Sequence, residues 1–127
     1  MSFDRAEFIT LLISIAIETL IVGIWGKLRQ LDWRLLALVA VASTLITHPI
    51  LWQVFNDLLP KVNLDRDLED RFNYLALLLE IPVVLAEGIV YKWVMKYSWR
   101  SSMTISLMAN LTSYLMGLWL VSLAYDR

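Results

Sequence analysis

Four stretches of nearly unbroken apolar residues run along the chain, at about Glu7–Gly26, Trp33–Phe55, Phe72–Met95 and Ser101–Tyr125. At about 1.5 Å of rise per residue, roughly 20 helical residues cross a hydrocarbon layer of about 30 Å, and each stretch reaches that length. The pattern predicts an all-α fold, an integral membrane four-helix bundle in a single domain over residues 1–127.

The polar breaks set the connectivity. Lys27–Asp32 separates the first two stretches and Lys96–Ser98 the last two, and connections this short force antiparallel neighbours, giving two transmembrane hairpins. Asp32 and Ser98 are natural N-caps for the helices that follow. The middle break, Asn56–Arg71, is longer and charged. Pro60 ends the second helix there, and Asn63 can cap a new one. Leu64, Leu68 and Phe72 recur every four residues, so a helix from near Leu64 is predicted to run to Met95, bent only at Pro82. The spacing Asn63, Asp65, Asp67 resembles the start of a calcium loop. The glycine and the glutamate that such a loop needs are replaced by Leu68 and Tyr74, which leaves a solvated helical face.

Composition strengthens the membrane reading. Apolar residues make up 59% of the chain and charged ones 18%, against about 45–50% and about 25% in soluble domains. A core of this size cannot hide that excess, so it is expected to face lipid, with the six Trp and five Tyr forming interfacial belts. The net charge of −1 offers no field for nucleic acid, and the lack of cysteine excludes disulfides and thiolate metal sites. The first stretch follows a segment that is not net basic, carries Glu18 and lacks a small-x-small cleavage pattern, so it is read as a retained helix rather than a signal peptide. The short turns carry Lys27, Arg29, Arg34, Lys92, Lys96 and Arg100 with Asp32 as the one acid. The other side carries Arg5, Lys61, Arg66, Arg71 and Arg127 among many acids. Positive charge in short loops favours the cytoplasm, which puts both termini outside.

The two halves echo each other. Trp33-Arg34 and Trp99-Arg100 each follow an N-cap residue, and eleven positions beyond each Trp come Thr44-Leu45-Ile46-Thr47 and Asn110-Leu111-Thr112-Ser113. Upstream stand Glu18 and Glu87, with three more residues between Glu and Trp in the first half. A tandem hairpin repeat would give a pseudo-two-fold axis along the membrane normal. Any two capped hairpins can also share Trp and Arg at the interface.

Ionisable groups within a span are costly, at least about 2.5–3.5 kcal/mol each by insertion scales, so each needs a reason. Glu18, His48, Glu80 and Glu87 lie within the four stretches. By helical phase, Asn73, Glu80, Glu87 and Tyr91 share one face of the third helix, and Thr44, Thr47 and His48 one face of the second, with Pro49 next. Ser106, Asn110, Ser113 and Gly117 line the fourth, and Ser14, Glu18 and Trp25 the first. Such stripes belong against each other, away from lipid. Depth counted from the turns places Glu18, Thr44 and Asn110 about 14–15 Å in, His48, Glu80 and Ser113 about 18–21 Å in, and Glu87 only about 8 Å from Lys92. On this count Glu80 is expected to meet His48, sharing a proton or binding a cation or metal, and Glu18 to meet Thr44 or Asn110. A simpler expectation for His48 is a bond to a nearby backbone carbonyl.

From Glu87 to Trp119 the chain resembles the filament-integrity septal membrane proteins of cyanobacteria, through Glu87, a basic turn, and the run Ser106, Asn110-Leu111, Ser113, Gly117 and Trp119. That resemblance implies a component of a complex in a bacterial cytoplasmic membrane.

The expected function is an ion- or proton-carrying or -coupling seam of Glu18, Thr44, Thr47, His48, Glu80, Glu87, Tyr91, Asn110 and Ser113. It would work as a homo-oligomer or with another membrane protein. The alternative is a structural or assembly subunit whose carboxyls stay static. A lone His, no Cys and no phosphate-cradling loop give little support to an enzyme, and no cofactor is indicated.

Overall fold

The computed structural model describes residues 5–61 and 68–125, all helix and short turns, with no strand among them. Helix α1 covers Arg5–Leu28, α2 Trp33–Leu58, α3 Leu68–Met95 and α4 Trp99–Tyr125. A single 3₁₀ turn, Leu59–Lys61, follows α2. All four helices are long and apolar enough to cross a membrane. Helices α1 and α2 end two and three residues past the expected bounds, because caps and not the edge of the apolar run decide where a helix stops, whereas α3 and α4 end as expected at Met95 and Tyr125. The expected start of α3 at Leu64 lies outside the described residues.

Both turns are built alike. Asp32 accepts a bond from the Leu35 N–H at 3.2 Å, and Ser98 Oγ accepts from the Ser101 N–H at 3.2 Å, so each expected N-cap is present. Two residues before each cap the backbone turns left-handed, at Gln30 and Lys96, both with φ 56°. At the end of α1 the Leu31 N–H reaches the Gly26 carbonyl at 2.8 Å and the Gln30 N–H the Lys27 carbonyl at 3.1 Å. This is the paired-bond C-cap that a left-handed residue permits. Gly26 is required here: a Cβ on it would stand 3.0 Å from Trp33 Cα and 2.9 Å from Leu36 Cδ1.

Helix α1 packs against α2 and α4, and α3 against α4 and α2. From the turns as far as Thr44 and Asn110, the buried faces of α2 and α4 match at a separation of 66. Leu36, Val39, Ala40, Ser43 and Thr44 are buried on one, and Ser102, Ile105, Ser106, Ala109 and Asn110 on the other. Toward the turns the interior is closed by an apolar cluster of Val22, Leu36, Val39, Tyr91 and Ile105. The outer surface is apolar and much of the interior is polar, the reverse of a water-soluble domain.

Candidate functional site

Below that apolar cluster lie Glu18 on α1 and Glu87 on α3, 4% and 1% exposed. Residues of the other helices hold each carboxyl. Thr44 Oγ1 (2.5 Å) and Ser113 Oγ (3.0 Å) donate to the two oxygens of Glu18. Thr47 Oγ1 (2.9 Å) and Asn110 Nδ2 (2.7 Å) donate to those of Glu87. Asn110 Nδ2 also reaches the Ser106 carbonyl at 2.9 Å, and Ser106 Oγ in turn donates to the Val84 carbonyl at 2.8 Å.

The four bonds follow one pattern of spacing in the two halves of the chain. Each carboxyl takes the residue eleven past the Trp of its own helix pair, Thr44 for Glu18 and Asn110 for Glu87. It takes the residue fourteen past the Trp of the other pair, Ser113 for Glu18 and Thr47 for Glu87. Hydroxyl and amide donors are the chemistry a carboxyl oxygen accepts from, and helical spacing of three puts both donors on one face.

The hydroxyls each have a second acceptor. Thr44 Oγ1 lies 2.9 Å from the Ala40 carbonyl, Thr47 Oγ1 3.0 Å from that of Ser43, and Ser113 Oγ 3.0 Å from that of Asn110. A hydroxyl has one proton to donate and can also accept. When it turns to the backbone carbonyl, the carboxyl oxygen facing it must carry the proton and donate. When it turns to the carboxyl, the carboxyl is ionised and accepts, while the backbone carbonyl keeps its helical N–H. Both carboxyls therefore keep a full set of hydrogen bonds with or without their proton.

Glu18 meets Thr44 as expected, whereas Asn110 serves Glu87. Glu87 is not a separate, shallower layer. Lys92, from which its depth was counted, lies inside α3, whose end is Met95, so the count began too deep. Tyr91 is buried, one turn from Glu87 and within electrostatic reach of both carboxyls.

Glu80 and His48 do not meet. Among the described residues no hydrogen bond or ion pair joins them, and no group of three or more His, Asp or Glu gathers that could hold a metal ion. His48 sits 100° round the helix from Thr47, which takes the inward position, and Trp52 one turn on donates its indole N–H to His48 Nε2 at 2.9 Å. This replaces the backbone bond that was the simpler expectation for His48. Glu80 faces a groove between α3 and α4 lined by Leu77, Ile81, Val84, Leu107, Leu111 and Tyr114. Packed helices cross, so a face that meets one neighbour at Glu87 has left it two turns away. Sequence reasoning left out Ser43, whose hydroxyl is buried without a partner. Its place one turn before Thr47 was the available signal.

Compared with protein-family models, curated proteins and solved structures, the chain matches none. Geometry alone carries the functional reading.

Proposed function

We propose that this is a multi-pass membrane protein of two antiparallel hairpins, related as a tandem repeat, whose Glu18–Glu87 seam carries or couples a proton. The reversed distribution of polarity supports the membrane placement: side chains such as Leu38 and Trp93 stand exposed while Glu18, Asn110 and Glu87 are buried. The exchange of bonds between the halves supports the repeat. A homo-oligomer or a larger membrane complex remains the proposed assembly.

One observation carries the proton reading: each carboxyl faces at least one hydroxyl that can turn between it and a backbone carbonyl. A static clamp has no need of a partner that works in both protonation states. Taking up a proton at Glu87 reverses the bond to Thr47, and taking one up at Glu18 reverses that to Thr44 or Ser113. The bonds to Thr47 and Ser113 join one helix pair to the other, so reversing either gives protonation a route to movement of one pair against the other.

The test is substitution by glutamine in the purified, reconstituted chain, with proton flux into vesicles followed by a pH-sensitive dye. Glutamine keeps one donor and one acceptor but cannot titrate. Glu18→Gln and Glu87→Gln variants are expected to fold and assemble while losing flux. A structural clamp is the second reading, favoured by the way Glu18 ties three helices together; it predicts that both variants behave as wild type.

A further inference from the structure

A second arrangement also repeats, at the rim formed by the two turns. Lys27 Nζ lies 5.4 Å from the ring centre of Trp33, and Lys92 Nζ 6.0 Å from that of Trp99. In both turns a lysine from the last turn of the incoming helix covers the indole that opens the outgoing one. Arg34 lies 5.5 Å from the Trp33 ring, so two cations share that indole, and Arg29 lies 5.3 Å from the Trp25 ring. Lys96 and Arg100 are exposed beside them. Among the described residues none of these six cations forms an ion pair, and the one acid of the rim, Asp32, is engaged in capping α2. Cation–π contact orients a cation without neutralising it. Six cations, four of them oriented, against a single acid on one rim attract anions.

We propose that this rim binds the phosphate headgroups of anionic lipids. The surface adjoining it selects a lipid over a free anion: Leu28, Leu35, Leu38, Trp93 and Val94 are exposed on the helices that carry these cations. A ligand with an anionic head and acyl chains satisfies both zones, and indoles at their boundary occupy the usual place of interfacial tryptophan. The inference rests on the membrane placement proposed above and is independent of the proton chemistry.

The experiment titrates the full-length chain in micelles with phosphatidylglycerol, phosphatidylcholine or inorganic phosphate, following tryptophan fluorescence and the unfolding midpoint. Phosphatidylglycerol is expected to bind and stabilise, the other two not, and high salt is expected to abolish the difference by screening. Each rim cation removed should weaken phosphatidylglycerol binding by about fivefold. The fourfold variant Lys27→Gln, Arg34→Gln, Lys92→Gln, Arg100→Gln reads the whole rim. Lys92→Gln alone serves if that variant does not fold, and Lys61→Gln at the other end of the bundle is the control. Equal responses to the two lipids, a response to inorganic phosphate as strong as that to phosphatidylglycerol, or loss of binding in the control overturns the inference. The chain is also reconstituted into bilayers of either lipid, and failure to insert into both defeats the membrane placement itself. Insertion into both without preference defeats only the rim.

Discussion

Ser113 donates to Glu18 at 3.0 Å from 95 positions away in the sequence, and Thr47, which lies as far past Trp33 as Ser113 lies past Trp99, donates to Glu87 at 2.9 Å. Both bonds join one helix pair to the other. If the halves are equivalent, removing either should cost the same. Ser113→Ala and Thr47→Ala are each expected to lower stability by about 0.6 kcal/mol, and by no more than roughly 1.7. Unfolding in mixed micelles measures this. A cost above about 2 kcal/mol for one variant and none for the other would show that the two bonds are not counterparts.

The close approach at Gly26 makes a sharper prediction. Its missing Cβ faces Trp33 backbone, which cannot move aside without displacing the start of α2. Gly26→Ala is expected to destabilise by about 1–3 kcal/mol. Gly23, where an added Cβ meets nothing within 4 Å, tolerates the same change. The two variants in one unfolding series separate packing from the general effect of replacing glycine.

At Gln30 and Lys96 the turns hold side-chain-bearing residues in a left-handed conformation, which costs about 1–2 kcal/mol relative to glycine. Gln30→Gly should therefore stabilise by up to about 1 kcal/mol, since the C-cap bonds of Leu31 and Gln30 are backbone bonds and survive the change. A loss of stability would mean that the Gln30 side chain holds the turn.

Much of this was legible from residue order. The caps Asp32 and Ser98, the four long apolar helices and their polar stripes follow from local rules, because a cap and a helical face are fixed within a few residues. The Glu18–Thr44 contact was also within reach, both lying near mid-span on neighbouring helices. Glu80 and His48 were not, since which neighbour a face meets depends on how helices cross, and crossing is a property of the whole bundle. The exchange of Ser113 and Thr47 between halves was hidden for the same reason: the matching spacing in the two halves was readable, but the partner drawn from the other pair was not.

Tyr97, in the second turn, approaches Asp32 in the first. Partial burial, and then the Asp32 carboxylate, raise the phenol above its ordinary value. A raised value means that the folded chain holds this proton more tightly than the unfolded one. The associated stability is present at neutral pH and lost as pH rises through the folded value. Asp32→Asn keeps an N-cap residue and removes the charge, so it should bring Tyr97 ionisation down toward that of an exposed tyrosine. Alkaline difference absorbance against Tyr97→Phe isolates this residue from the other four tyrosines. No change on Asp32→Asn would place the effect in burial alone.

Glu80 and Glu87 share a helix and a residue type but not a setting, and apolar replacement should tell them apart. Leucine at 87 leaves Thr47 without its carboxyl partner and Asn110 with one acceptor fewer inside the bundle. Thr47 can still turn to the Ser43 carbonyl, but one Asn110 N–H is left buried without its acceptor, at about 1–3 kcal/mol, so Glu87→Leu is expected to destabilise. Among the described residues Glu80 has no hydrogen-bond partner, and it opens on an apolar groove beside Leu77, Ile81 and Leu111. Glu80→Leu removes a costly polar group from an apolar surface and adds apolar contact, so the isolated chain should be as stable as wild type or more so. The comparison is made twice, on the purified chain and in native membranes. If Glu80→Leu proves harmless to the purified chain but disrupts its assembly in membranes, the groove is where a partner meets it. If it destabilises the purified chain as much as Glu87→Leu does, Glu80 belongs to the interior network after all.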